Sequence, residues 1–105
     1  VSTAAEVAHN AAASRYEILI DGTIAGFAQY RMRGGSMVFT HTEVRGEFEG
    51  RGLGGTVVGA ALDAARAAGL RVVPLCSFVA WYIEKNPAYR DLLDDDYRDL
   101  ADAQD

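Results

Sequence analysis

The sequence has one cysteine, two prolines and no apolar run near the ~20 residues needed to cross a bilayer. A lone Cys76 excludes an intrachain disulfide and suits a reducing compartment. Positive charge is scarce. Ten Lys and Arg against fifteen Asp and Glu leave a formal charge of −5 at pH 7, which argues against a broad electrostatic grip on nucleic acid. No basic stretch followed by an apolar one occurs in Val1 to Ser14, so no secretory leader is expected there, and the expected location is cytoplasmic. Without staples or a membrane segment, stability must come from an ordinary core. The 50% apolar content of 105 residues is enough for a single small domain.

What the chain does have is glycine, concentrated in Val44-Arg45-Gly46-Glu47-Phe48-Glu49-Gly50-Arg51-Gly52-Leu53-Gly54-Gly55. An alternating run, Met37 to Val44, leads into this stretch, and an alanine-rich run, Thr56 to Ala68, leaves it. Glycines joining a strand to a helix leave backbone N–H groups unhindered at the positive end of the helix dipole, where an anion, most often phosphate, is held. The spacing is not that of a P-loop, because no Lys followed by Ser or Thr comes after the last glycine. Nor is it a G-x-G-x-x-G dinucleotide fingerprint, since Gly50, Gly52 and Gly54 fall on alternate positions. The plainer alternative is a glycine-lubricated turn with no ligand.

Around this stretch the expected elements follow in order. Val1 to Ala13 lacks large apolar residues and is expected to be a flexible arm over 1–14, with His9 solvated. Arg15 to Ile20 and Thr23 to Tyr30 have strand composition. Asp21-Gly22 between them is a hairpin signal, because both central residues of the favoured turn take positive φ. Arg33-Gly34-Gly35-Ser36 makes a second turn into the Met37 to Val44 strand, whose alternation sets Phe39, His41 and Glu43 on one face and Val38, Thr40, Thr42 and Val44 on the other. The helix that follows carries Leu53, Val57, Ala61, Ala64 and Ala68 as a narrow stripe, closed by Gly69. Leu70 to Cys76 reads as a buried strand, parallel to Met37 to Val44 across a right-handed crossover.

Pro74 cannot donate to a ladder, so pairing should stop there and leave a wedge at the strands' C-terminal ends. Ser77 is expected to cap a helix running from Phe78 to Lys85, with its aromatics Phe78, Trp81 and Tyr82 as core or lid. A short helix begins near Pro87, and an acidic tail occupies 94–105. The expected class is therefore α+β, with a mixed, mostly antiparallel sheet around one βαβ unit whose parallel strands splay. The domain itself is 15–93. The apolar strand Tyr16 to Ile20, as an exposed edge, allows a monomer or a weak dimer.

The glycine stretch resembles the acyl-CoA loop of the GNAT superfamily of N-acetyltransferases, roughly Val-x-Pro-x-x-[Gln/Arg]-Gly-x-Gly-x-[Gly/Ala]. Val44, Gly50, Gly52 and Gly54 match; Gly46 replaces Pro and Glu49 replaces Gln or Arg. His41-Thr42-Glu43-Val44, Val73 to Ser77 and Asn86-Pro87-x-Tyr89 are similar to a short, minimal branch of that superfamily.

The resemblance implies acetyl-CoA as cofactor and an amine, on a small molecule or a protein, as acceptor. It places the diphosphate on the N–H groups of Glu49, Gly50, Arg51, Gly52, Leu53, Gly54 and Gly55. The pantetheine lies along Thr42, Glu43 and Val44, and Ser77, Lys85 and Asn86 are near the ligand. Cys76 is then a candidate acetyl acceptor or proton relay, or else a small buried hydrophobe. His41 and Glu43 are candidate bases, with a core histidine as the other reading of His41. The rival function is a non-catalytic acyl-CoA sensor.

Overall fold

The computed structural model describes residues 5–95 and 97. Five strands form one sheet in sequence order: β1 (Ala5–Asn10), β2 (Arg15–Ile20), β3 (Thr23–Arg33), β4 (Ser36–Val44) and β5 (Arg71–Pro74). The first four pair antiparallel and β4 with β5 parallel. Helix α1 (Leu53–Ala67) makes the crossover between β4 and β5, and α2 (Ser77–Lys85) follows β5. The class is the mixed α+β arrangement expected from the sequence. Asp21 and Gly22 take φ of 49° and 80°, the backbone that their hairpin turn requires.

The N-terminal segment departs from expectation. Instead of a flexible arm, residues 5–10 add a strand alongside β2, so Tyr16 to Ile20 is an interior strand and not a free edge. His9 supplies the reason. Its ring stacks on Tyr16 at 4.3 Å and 6°, and its Nε2 is hydrogen-bonded to the Tyr30 hydroxyl. Val7, half-buried against the core, adds apolar area that the composition of the segment hides among alanines.

Side chains from β2, β3 and β4 pack under α1 through Val57, Val58, Ala61, Leu62 and Ala65, all fully buried with Phe39 and Ile18. Each large apolar side chain so buried contributes about 1.5–3 kcal/mol. The buried stripe of α1 is wider than the one expected: Val58, Gly59, Leu62 and Ala65 join it, while Ala68 is exposed. Gly69 does close the helix, at φ 72°.

Two features of the strand ladders matter for the site. The β3–β4 ladder pairs Tyr30 with Phe39 but Gln29 with His41, so Thr40 is an extra, bulged residue. One extra residue inverts the alternation beyond it. Thr42 and Val44 therefore share the helix-covered face with Phe39, and His41 and Glu43 turn to the opposite face.

The β4–β5 ladder ends at Phe39 and Pro74, where the proline removes the next donor. The Cys76 N–H still donates to the Phe39 carbonyl at 3.0 Å, and from there the two segments part.

At the C-terminal end, Asp94 was expected to begin a fraying tail. It is instead fixed, accepting from Ser36 Oγ at 2.6 Å and donating its N–H to Val72 O at 2.8 Å. Residues 96 and 98–105 of the acidic tail lie outside the described residues.

Candidate active site

The start of α1 is built by glycine. Gly52 precedes the helix at φ 72°, a left-handed position that strains other residues, and no side chain caps the helix behind it. The first intrahelical bond runs from Thr56 N–H to Gly52 O at 3.2 Å, and the Thr56 hydroxyl donates to the same oxygen. The N–H groups of Leu53, Gly54 and Gly55 therefore have no helical acceptor. Gly50, at φ 84°, and Gly52 have nothing within 4 Å of where a Cβ would stand, so a ligand can approach their backbone.

Glu49 behaves differently from expectation. Its N–H donates to Gly46 O at 3.2 Å, closing a single 3-10 turn over Gly46–Phe48, and so is not free for an anion.

Beside this helix start lies a cavity of about 380 Å³. Val44, Phe48, Leu53, Phe78, Trp81 and Tyr82 supply its apolar walls, with Glu49, Gly50, Gly52, Gly54, Gly55 and Asn86 around them. A ligand with one anionic segment and one apolar segment fits both halves. The sequence reading missed Phe48 as a wall and left the α2 aromatics as core or lid. Phe78 and Tyr82 repeat at i and i+4 and face Gly54, Gly55 and Gly59 of α1. That complementary spacing was the available signal. Trp81 stands over the cavity rim with half of its surface exposed and its ring 5.6 Å from Phe78.

The remaining predicted residues divide. Cys76 and Thr42 meet, the thiol donating to Thr42 Oγ1 at 3.5 Å, at the point where β4 and β5 part; neither lines the cavity. Cys76, not Ser77, is the N-cap residue of α2, and Ser77 is the exposed first residue of that helix, with no capping bond. Asn86 caps the other end of α2, its side chain and N–H both donating to Tyr82 O. Arg51 sits with its guanidinium 5.5 Å over the Phe48 ring, next to the glycines, and Lys85 is exposed outside the cavity.

His41 and Glu43 do not share the face of Phe39 that strict alternation predicts. The bulge at Thr40 carries them to the far face, where they pair at 3.2 Å with about half of each side chain exposed. His41 there lies 5.9 Å from Phe27, on which Arg15 stacks at 4.6 Å. His41 is thus not a core histidine, and its partners are Glu43 and Phe27 rather than Cys76. Among the described residues, no group of His, Cys, Asp and Glu could hold a metal ion.

A splayed parallel pair, an uncapped glycine helix start and an apolar cavity lie side by side in this α+β domain. Comparison with known proteins gives the family. The family profile of the GCN5-related N-acetyl-transferases matches residues 15–92, and the chain belongs to that family. The fold is similar to the solution structure of a GCN5-like protein from Staphylococcus aureus, with a TM-score of 0.66 and 24% identity over 84% of this chain and 86% of that one. No curated protein matches the sequence.

Proposed function

We propose that this chain binds acetyl-CoA and transfers the acetyl group to an amine. The observation that supports this most is the uncapped α1 start opening directly onto an apolar cavity. Bound there, acetyl-CoA would supply a thioester already activated toward nitrogen nucleophiles. The N–H groups of Leu53, Gly54 and Gly55 hold the diphosphate, with Gly50 and Gly52 giving it room and Arg51 adding a charge-assisted contact. Val44, Phe48 and the α2 aromatics keep water from the pantetheine arm. The side of β4 left unpaired beyond Phe39 offers backbone groups to that arm in the manner of an added strand, with Thr42 and Val44 along it. This course directs the thioester toward Cys76.

In the transfer the neutral amine attacks the thioester carbonyl, the carbonyl being polarised by backbone N–H groups. An N–C bond forms as the C–S bond breaks, and CoA leaves as the thiolate. The amine proton passes to that thiolate, directly or through water, to give the free thiol. His41 and Glu43 present their side chains to the other side of the sheet, so this mechanism assigns neither of them removal of the amine proton. The same observation favours the second reading, an acyl-CoA sensor in which the cleft binds without turnover.

Calorimetry tests the binding, and mass spectrometry of a panel of amines tests the transfer. Acetyl-CoA is expected to bind the wild-type chain and to bind Gly52→Ala at least about tenfold more weakly, a loss of ~1.4 kcal/mol. No heat at millimolar ligand overturns both readings. Binding with no acetylated amine leaves the sensor.

A further inference from the structure

The helix α1 carries a second glycine feature that no phosphate site requires. Gly55 and Gly59 lie one turn apart, and Gly59 is buried, away from the helix start. A Cβ on Gly59 would stand 2.7 Å from the Tyr82 hydroxyl oxygen, 3.5 Å from Cζ and 3.9 Å from Cε2. A Cβ on Gly55 would stand 3.2 Å from Cε1 of the same ring. Tyr82 thus lies along a trough in α1 that exists because two side chains are missing. The Tyr82 ring also lies 6.1 Å from the Tyr89 ring and lines the cavity, which Gly59 does not.

We propose that Gly59 is a positioning residue for the cavity. By admitting the Tyr82 hydroxyl, it holds the ring against α1 and sets the width of the space left for the pantetheine arm; this rests on the acetyl-CoA reading above. A methyl at Gly59 displaces the far end of one side chain and no backbone, so the ring yields and the fold persists. Because Tyr82 lines the cavity, a displaced ring alters the cavity's width. Only the hydroxyl oxygen stands closer than an ordinary contact, so removing it alone restores the room.

The experiment is a double-mutant cycle on the full chain: wild type, Gly59→Ala, Tyr82→Phe and the pair together, each titrated with acetyl-CoA by calorimetry and melted by circular dichroism. Gly59→Ala is expected to raise the dissociation constant at least about tenfold. Tyr82→Phe serves as the reference whatever its own affinity, and the double variant is expected to bind within about threefold of it. Wild-type affinity in Gly59→Ala, or a double variant weaker than Tyr82→Phe by as much as Gly59→Ala is weaker than wild type, overturns the proposal. If Gly59→Ala does not fold, the double variant decides: folded with the Tyr82→Phe affinity supports the proposal, and unfolded overturns it.

Failure of wild type to bind acetyl-CoA defeats the functional reading alone. The positioning is then decided by amide and indole NMR shifts of Gly54, Phe48 and Trp81. Shifts that move in Gly59→Ala and revert in the double variant support it, and shifts that stay put overturn it.

Discussion

The Cys76 thiol donates to Thr42 Oγ1 across 3.5 Å, bridging β4 to the start of α2 where their strands have just stopped pairing. Both side chains are half-buried. The bulge at Thr40 brings Thr42, not His41, to this position, so the thiol faces a hydroxyl instead of an imidazole.

A covalent acetyl-cysteine step needs a thiolate, and a threonine hydroxyl does not remove a thiol proton. Under the proposed direct attack, Cys76→Ala therefore keeps acetyl transfer within about tenfold of wild type, roughly 1.4 kcal/mol, and its acetyl-CoA affinity unchanged. Rates with a confirmed acceptor check the first part. Calorimetry checks the second, and intact-mass analysis tests the rival route, since an acetyl adduct on wild-type protein that is absent from Cys76→Ala would establish a covalent step instead.

Glu49 sits on the cavity rim with its N–H already spent on Gly46 O, so its carboxylate brings charge without a compensating donor. Glu49→Gln is expected to tighten acetyl-CoA binding by about threefold at low salt, in the range of ~0.3–1 kcal/mol for a charge at a helix start. The gain shrinks as salt rises, because the residue is exposed and screened. Calorimetry at two ionic strengths measures both effects, and weaker binding by the variant contradicts the placement of the diphosphate.

Much of the architecture is legible in the sequence, and what is hidden has physical causes. Asp21-Gly22, the glycine loop, Gly69 and Pro74 are backbone signals: each requires or forbids a local conformation regardless of its surroundings. They locate the β2–β3 hairpin, the start and end of α1 and the end of the β4–β5 ladder. The strand at Ala5–Asn10 carries no such signal, because its stability comes from His9 meeting Tyr16 and Tyr30, residues brought beside it only by the fold. The bulge at Thr40 is hidden for the same reason, since strict alternation through Met37 to Val44 looks regular until β3 imposes its register. That single residue puts His41 and Glu43 on the face opposite Thr42 and Val44. Along α1, reading glycine only as a phosphate-loop feature concealed the trough for Tyr82.

On the far face of the sheet, Glu17 accepts from Asn10 Nδ2 at 3.0 Å and Arg15 Nε at 2.7 Å, and its side chain is 9% exposed. These bonds, Asn10 first and Arg15 second, hold its carboxyl below the ordinary value of 4.5. A depressed folded-state value contributes stability that is present above pH 4.5 and is lost as pH falls through the lower folded value. Melting temperatures of wild type and Glu17→Gln are expected to differ most at neutral pH and to converge below pH 4.5. A constant gap across that range would show that the carboxylate charge contributes nothing.

The N-terminal strand gives the last prediction. His9 joins β1 to the rest of the sheet by stacking on Tyr16 and by the hydrogen bond with the Tyr30 hydroxyl, and both tyrosines are buried. His9→Ala removes one stacked pair and leaves the Tyr30 hydroxyl without this partner. The cost is about 1 kcal/mol, because His9 itself is exposed and water reaches the vacated side. For a domain of this size that is a fall in melting temperature of roughly 4–8 °C. The loss should concentrate at the edge. Hydrogen exchange is expected to speed up at Glu6 to Asn10 and at Tyr16 to Ile20, and to leave the α1 amides from Val58 to Ala65 unchanged. Uniform acceleration across α1 would mean that β1 is part of the cooperative core, not a strand fastened to its margin.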